Sequence, residues 1–200
     1  ANFSQRIYAL EGYLSPNTYE IYTSATPEEI IKKLLSQTEA VFRDEWHDRA
    51  DELGMTMDQV ITLASLIEKE AKQADFARVS ALFHNRLKIN MALGSDVTIK
   101  YVTGTERMSL NNSDLSVDSP YNTYRNKGLP PGPICNPSAA AIEAALYPDE
   151  TFTAQNYLYF CSKDPATGEL YFSRTLEEHE AAVKIYAPLW QAYDEKTGAK

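Results

Sequence analysis

Cysteine is scarce in this sequence, with only Cys135 and Cys161 among 200 residues. That excludes a disulfide scaffold and a four-cysteine zinc site, leaving either one bridge or two free thiols. Neither cysteine has a histidine or basic residue beside it, so a thiolate nucleophile has no local support. The three histidines, His47, His84 and His179, stand far apart and form no His-Glu-x-x-His pattern. No metal site is legible, and no cofactor is expected. Neither Gly-x-Ser-x-Gly nor Gly-x-Gly-x-x-Gly occurs, which removes support for a lipase-like nucleophile or a dinucleotide site. There is no apolar run of about 18 residues and no signal peptide. Positive charge is in deficit: 19 Lys and Arg face 28 Asp and Glu, for a net charge of -9. Such a surface repels phosphate backbones, so nucleic acid is not expected as a partner.

The remaining composition is that of a folded chain, with 44% hydrophobic and 24% charged residues. The length suits one domain over residues 1–200. The start at Ala1, without an initiator Met, suggests a piece of a longer protein. Thr26-Pro27-Glu28-Glu29 reads as a helix start, with the helix expected to reach Trp46. Thr56 to Gln59 repeats the capping pattern and opens a helix to about Gln73. Asp75 opens a third, with Phe76, Val79, Leu82, Phe83 and Leu87 as its apolar stripe. Residues 96–102 alternate, with Val97, Ile99 and Tyr101 on one side, and read as a strand. Asn136 or Ser138 caps an Ala-rich helix to about Tyr147. Tyr157 to Ser162 and Leu170 to Ser173 read as a hairpin about the turn at residues 164–168. Thr175 caps a last helix, with fraying expected from Asp194. Helices followed by a small antiparallel sheet define an α+β fold.

One residue of the second helix stands out. Successive helical residues turn by about 100°, so with Leu63 at zero, Ile67 lies at about +40° and Glu70 at about -20°. Glu70 is thus a carboxylate in the middle of an apolar stripe, whereas Glu68, at about +140°, lies at its margin. An apolar setting disfavours the charged form and raises a carboxyl pKa, as a general acid requires. A structural reading stands beside this one: near the helix end Glu70 could be half-exposed or salt-bridged.

Residues 111–137 show neither period and hold Pro120, Pro130, Pro131, Pro133 and Pro137. A loop this long within a compact domain is usually functional. Ser119-Pro120-Tyr121-Asn122-Thr123-Tyr124 alternates aromatic faces with hydrogen-bonding groups, a composition suited to sugars. The loop is expected to fold over the cleft that holds Glu70. The structural alternative is that Asn122 pins the loop's own backbone.

Several segments together resemble the MltG/YceG family of endolytic murein transglycosylases. They are Leu10 to Tyr19 (LEGYLSPNTY), Ala64 to Glu70 (ASLIEKE), Val79 to Leu87 with Asn85-Arg86-Leu87, and Ser95 to Tyr101 (SDVTIKY). Ser119 to Pro137 (SPYNTYRNKGLPPGPICNP), Tyr157-Leu158-Tyr159-Phe160 and Glu178-His179 complete the set. The resemblance covers nearly the whole chain in order. It departs at Ser15, Val97 and Leu170, where an aromatic, Pro and His are common. It implies a catalytic acid at Glu70 and cleavage of the MurNAc–GlcNAc bond without water, leaving 1,6-anhydro ends. Asp96, Thr98, Tyr121, Asn122 and Tyr124 would position the sugar, and peptidoglycan strands would be the partner, with cell-wall synthesis proteins alongside. Members carry an N-terminal membrane helix and a LysM-like domain, neither found in this sequence. The chain is therefore expected to be the outward-facing catalytic part of a single-pass bacterial membrane protein. The alternatives are a hydrolytic muramidase, with Asp96 as base, and a non-catalytic glycan-binding or scaffold domain.

Overall fold

A computed structural model of the chain describes residues 3–199. The elements run α1 (Pro27–Val41), α2 (Asp44–Glu52), α3 (Met57–Glu70), α4 (Phe76–Lys88), α5 (Asp96–Thr103), α6 (Asn112–Leu115), α7 (Ala139–Leu146), α8 (Glu150–Ala154), β1 (Tyr159–Asp164), β2 (Glu169–Ser173) and α9 (Leu176–Thr197). The architecture is α+β: packed helices with one antiparallel hairpin, β1 against β2.

The core is built around α3. Thr56 caps it in a reciprocal capping box with Gln59. Every residue from Val60 to Ile67 is buried. The buried surface is therefore no stripe but the whole circumference, the mark of a central helix, with the Thr62 and Ser65 hydroxyls satisfied by backbone carbonyls. Leu63, Leu66 and Ile67 pack with Val79, Leu82 and Phe83 of α4 and Ile142, Ala145 and Leu146 of α7 in one cluster. The helix stops at Glu70 rather than Gln73, because Ala71 turns extended (φ -140°, ψ 170°) and Gln73–Asp75 forms a 3-10 turn.

Other boundaries also differ from expectation. The first helix ends at Val41, where Phe42 is extended, and Trp46 belongs to a separate helix, 1% exposed. Residues 96–102 are helical, not a strand. Ser95 stands at the N-cap, Asp96 in the first turn, and Gly104 (φ +72°) at the C-terminal stop. Those end signals decide a short apolar run that periodicity alone leaves ambiguous. Helix α8 was not anticipated; Asp149 caps it by accepting the Phe152 N–H at 2.9 Å. The end of α9 does not fray at Asp194, whose carboxylate accepts the N–H groups of Met108 (2.7 Å) and Ser109 (2.9 Å).

The long loop contains only α6 and is held from both sides. Ile134 N–H donates to the Ser65 hydroxyl at 3.0 Å. Residues 3–14 return from the N-terminal end to lie on it. Arg6, with its side chain 1% exposed, pairs with Asp58 at 2.6 Å and donates to the Pro131 carbonyl at 3.1 Å. Gly12 and Leu14 N–H groups both donate to Asn136 Oδ1, at 2.8 and 3.1 Å. Both cysteines are free. Burial pushes their thiols up, Cys135 to about 12 and Cys161 to about 11, so both stay protonated.

Candidate active site

Glu70 is the last residue of α3, and this position sets its environment. Leu66 and Ile67, one turn before it, are core; the chain after it turns away. The carboxyl is partly exposed and faces the N-terminal end of α5. The Ser95 hydroxyl donates to Glu70 Oε1, and the Val97 backbone N–H lies near enough to favour the charged form. Burial raises the Glu70 pKa to about 7, and nearby Asp96 adds to the rise. The Ser95 hydroxyl, the Val97 N–H and the Lys100 ammonium oppose it without cancelling it.

Asp96, half-buried, and Tyr124, 40% exposed, complete the site. The Tyr124 hydroxyl donates to Asp96 Oδ1. Burial raises Asp96 above the usual carboxylate range, against the pull of the Tyr124 bond and Lys100. Arg86 of α4 lies behind, its guanidinium donating to the Leu158 carbonyl at 2.6 Å and to the Leu93 carbonyl. It ties the hairpin entry to the turn before α5. Gly94 in that turn has φ +52°, and a Cβ there would lie 3.3 Å from Arg86 Nη1 and 3.5 Å from the Tyr124 ring. Glycine thus permits the close approach of arginine and tyrosine beside Glu70.

Three other residues expected to touch substrate are part of the frame. Thr98 is 0% exposed, its hydroxyl donating to the Ser95 carbonyl at 2.7 Å and meeting Thr123 Oγ1 at 3.0 Å. Tyr121 is 1% exposed and packs in the core, its ring 5.2 Å from that of Tyr101. Asn122 is 0% exposed; its amide donates to the Leu115 (3.0 Å) and Val117 (2.8 Å) carbonyls and accepts the Tyr124 N–H at 3.0 Å. In this arrangement Asn122 pins the loop's own backbone. The physical reason is that an irregular loop has no ladder for its carbonyls, and a side-chain amide supplies donors in its place.

The loop does reach the site, but only at one end. Thr123 accepts the Ser95 N–H at 2.9 Å on its hydroxyl and the Gly94 N–H at 3.0 Å on its carbonyl. Residues beyond Gly128 run along α3 instead. An open cleft of about 960 Å³ at the start of α3, walled by Asp58, Thr62, His84, Lys88 and Leu129, includes none of Glu70, Ser95 or Asp96. Ser95, Thr123 and Arg86 were not singled out from sequence. Only Ser95 carried a signal, since Ser followed by Asp is a helix start, and the strand reading hid it. Among the described residues, no group of three or more His, Cys, Asp or Glu side chains could hold a metal ion, and no helix is long and apolar enough to cross a membrane.

The arrangement is a helical domain presenting one carboxyl, poised near neutrality, at the junction of two helix ends and a proline-rich loop. Residues 1–185 match the model of the YceG-like family, and the chain belongs to that family. It is 41% identical over 181 residues to a Bacillus subtilis protein named endolytic murein transglycosylase, covering 90% of this chain and 48% of that one. A Streptococcus pneumoniae protein of the same name is 36% identical over 182 residues, covering 88% of this chain and 32% of its own length. The chain thus spans half or less of these relatives. A crystal structure of a yceG-like protein from Listeria monocytogenes superposes with a TM-score of 0.80 at 40% identity, covering 89% of this chain and 57% of that one.

Proposed function

We propose that this domain is an endolytic lytic transglycosylase that cuts the MurNAc–GlcNAc bond of peptidoglycan without water. The observation that carries the reading is Glu70, a partly shielded carboxyl at the end of α3 that the Ser95 hydroxyl holds and whose pKa burial raises to about 7. A carboxyl raised towards neutrality can both give and take a proton, so one residue serves as acid and then as base. Glu70 protonates the glycosidic oxygen as the C1–O bond breaks and oxocarbenium character grows at C1. The resulting carboxylate then takes the proton from the C6 hydroxyl of the same muramic acid. O6 bonds to C1, closing a 1,6-anhydro ring, and Glu70 is returned to its protonated state. Intramolecular attack supplies the nucleophile that a hydrolase draws from water, so no second carboxylate is required.

Exposed Tyr124 and half-buried Asp96 flank this acid and are the groups suited to contact the sugar. The relatives' names support murein as the substrate. Since murein lies outside the cytoplasmic membrane, the reading carries an outward-facing, membrane-associated location, with cell-wall synthesis proteins as neighbours. Mass spectrometry of digested glycan tests it. Anhydro-muramic ends, lighter by one water than reducing ends, are expected. Reducing ends would instead make the domain a muramidase with Asp96 as base, and uncut glycan would make it a binding module.

A further inference from the structure

Ser95 stands at the N-cap of α5, yet its hydroxyl makes no bond to its own helix. At such a position a serine oxygen ordinarily accepts the N–H two or three residues on. Thr26, Thr56, Asn111, Ser138 and Thr175 all do so in this chain. The Ser95 hydroxyl instead donates to Glu70 Oε1. The group that would ordinarily cap α5 is therefore turned to the Glu70 carboxyl.

The backbone of Ser95 is fixed. The residue is 2% exposed; its N–H is held by Thr123 Oγ1 at 2.9 Å and its carbonyl by Thr98 Oγ1 at 2.7 Å. What remains free is rotation of the O–H bond. A hydroxyl can donate to a carboxylate or accept from a carboxylic acid without moving its oxygen.

We propose that Ser95 is a positioning residue for the reaction, a hydroxyl that fixes the Glu70 carboxyl and follows its proton. It donates while Glu70 is the base and accepts while Glu70 is the acid. This rests on the reading of Glu70 under Proposed function. The charged and titratable groups around Glu70 are Asp96 and Lys100 of α5, Arg86 of α4 and Tyr124 of the loop. Substituting Ser95 leaves all of them in place, so its effect on Glu70 can be read separately from theirs.

The test is a carboxyl-carbon NMR titration of Glu70 without substrate, in the wild type and in Ser95→Ala. Loss of a donor to the carboxylate raises the pKa, and the Glu70 midpoint is expected to move up by about one unit. On murein, kcat is expected to fall about tenfold with KM little changed, and the pH–rate limb to move upward with the titration. Ser95→Thr, which keeps the hydroxyl, should restore both. An unchanged or lowered midpoint overturns the proposal. Where Ser95→Ala does not fold, Ser95→Cys is used; its thiol is a weaker donor, so an upward shift supports the proposal and none overturns it. The titration needs no catalysis. A wild-type protein that cuts no glycan therefore overturns the assigned reaction, while a shifted midpoint still establishes the Ser95–Glu70 coupling.

Discussion

Glu68 and Glu70 stand near one another at the end of α3 and are held by different parts of the molecule. Glu68 accepts the Ser138 N–H at 3.0 Å and its hydroxyl at 2.6 Å, tying α3 to the start of α7. Glu70 accepts the Ser95 hydroxyl ahead of α5. Two residues of a helix turn by about 200°, which sends the carboxyls to opposite flanks. The Glu-Lys-Glu triplet thus holds one structural and one chemically available carboxyl.

Glu70→Gln is expected to abolish glycan cleavage and leave the fold intact. Its effect on stability depends on pH. The folded-state pKa of about 7 lies above the ordinary value of 4.5, so between these the folded protein holds a proton that the unfolded chain has lost. Stability therefore falls as pH rises through this window, by up to about 3 kcal/mol. Glutamine removes that loss. Melting curves should show the variant above the wild type at pH 8, with the gap closing at pH 5. The same gap at both pH values would mean that Glu70 is not a raised acid.

Glu68→Ala should do the reverse. It strips the acceptor from two Ser138 donors and should cost about 1–2 kcal/mol in urea denaturation. Turnover per folded molecule should stay close to wild type. A selective loss of kcat with an unchanged melting temperature would move Glu68 into the chemistry.

Asn122→Ala removes three hydrogen bonds from a fully buried amide and should cost about 2–4 kcal/mol. Melting temperature and cleavage should fall together, because Tyr124 is the next residue but one and its N–H is among the groups released. Cleavage lost at full stability would return Asn122 to the role of a sugar contact.

Gly12→Ala tests the N-terminal strap. Gly12 has φ +89°, and an added Cβ would lie 2.4 Å from Pro133 Cγ and 2.9 Å from Ile61 Cγ2. Left-handed strain and this overlap should together cost about 3 kcal/mol or more. A calorimetric scan showing no loss would mean that the strap can lift without consequence.

Much of the fold was legible because its signals are local. The capping boxes at Thr26, Thr56 and Thr175, the Ser138 cap and the hairpin turn at Asp164 are each written within four residues. What was missed depends on partners far along the chain. Val97, Ile99 and Tyr101 alternate as a strand would, but among the described residues the sheet is the β1–β2 hairpin alone and this segment does not join it; Gly104 (φ +72°) closes it as a helix. At the site, Glu70 stood out as a carboxylate among leucines. The composition of residues 119–124 suits sugars, but composition cannot tell an aromatic or amide facing solvent from one folded inward, as Tyr121 and Asn122 are. The sequence could mark Ser95 as a helix start, but its bond to Glu70, 25 positions away, is visible only in the folded chain.

The strap formed by residues 6–14 also sets a timetable. Its bonds to Pro131 and Asn136 span 125, 124 and 122 positions. During synthesis at about 5–20 residues per second, Arg6 and Gly12 leave the ribosome on the order of ten seconds before the segment they hold. Contacts this distant close slowly even in a free chain. The proline-rich loop, and with it the Tyr124 wall beside Glu70, can therefore reach its final packing only after most of the domain has been made, which leaves the nascent protein without an organised pocket around Glu70 until its synthesis is well advanced.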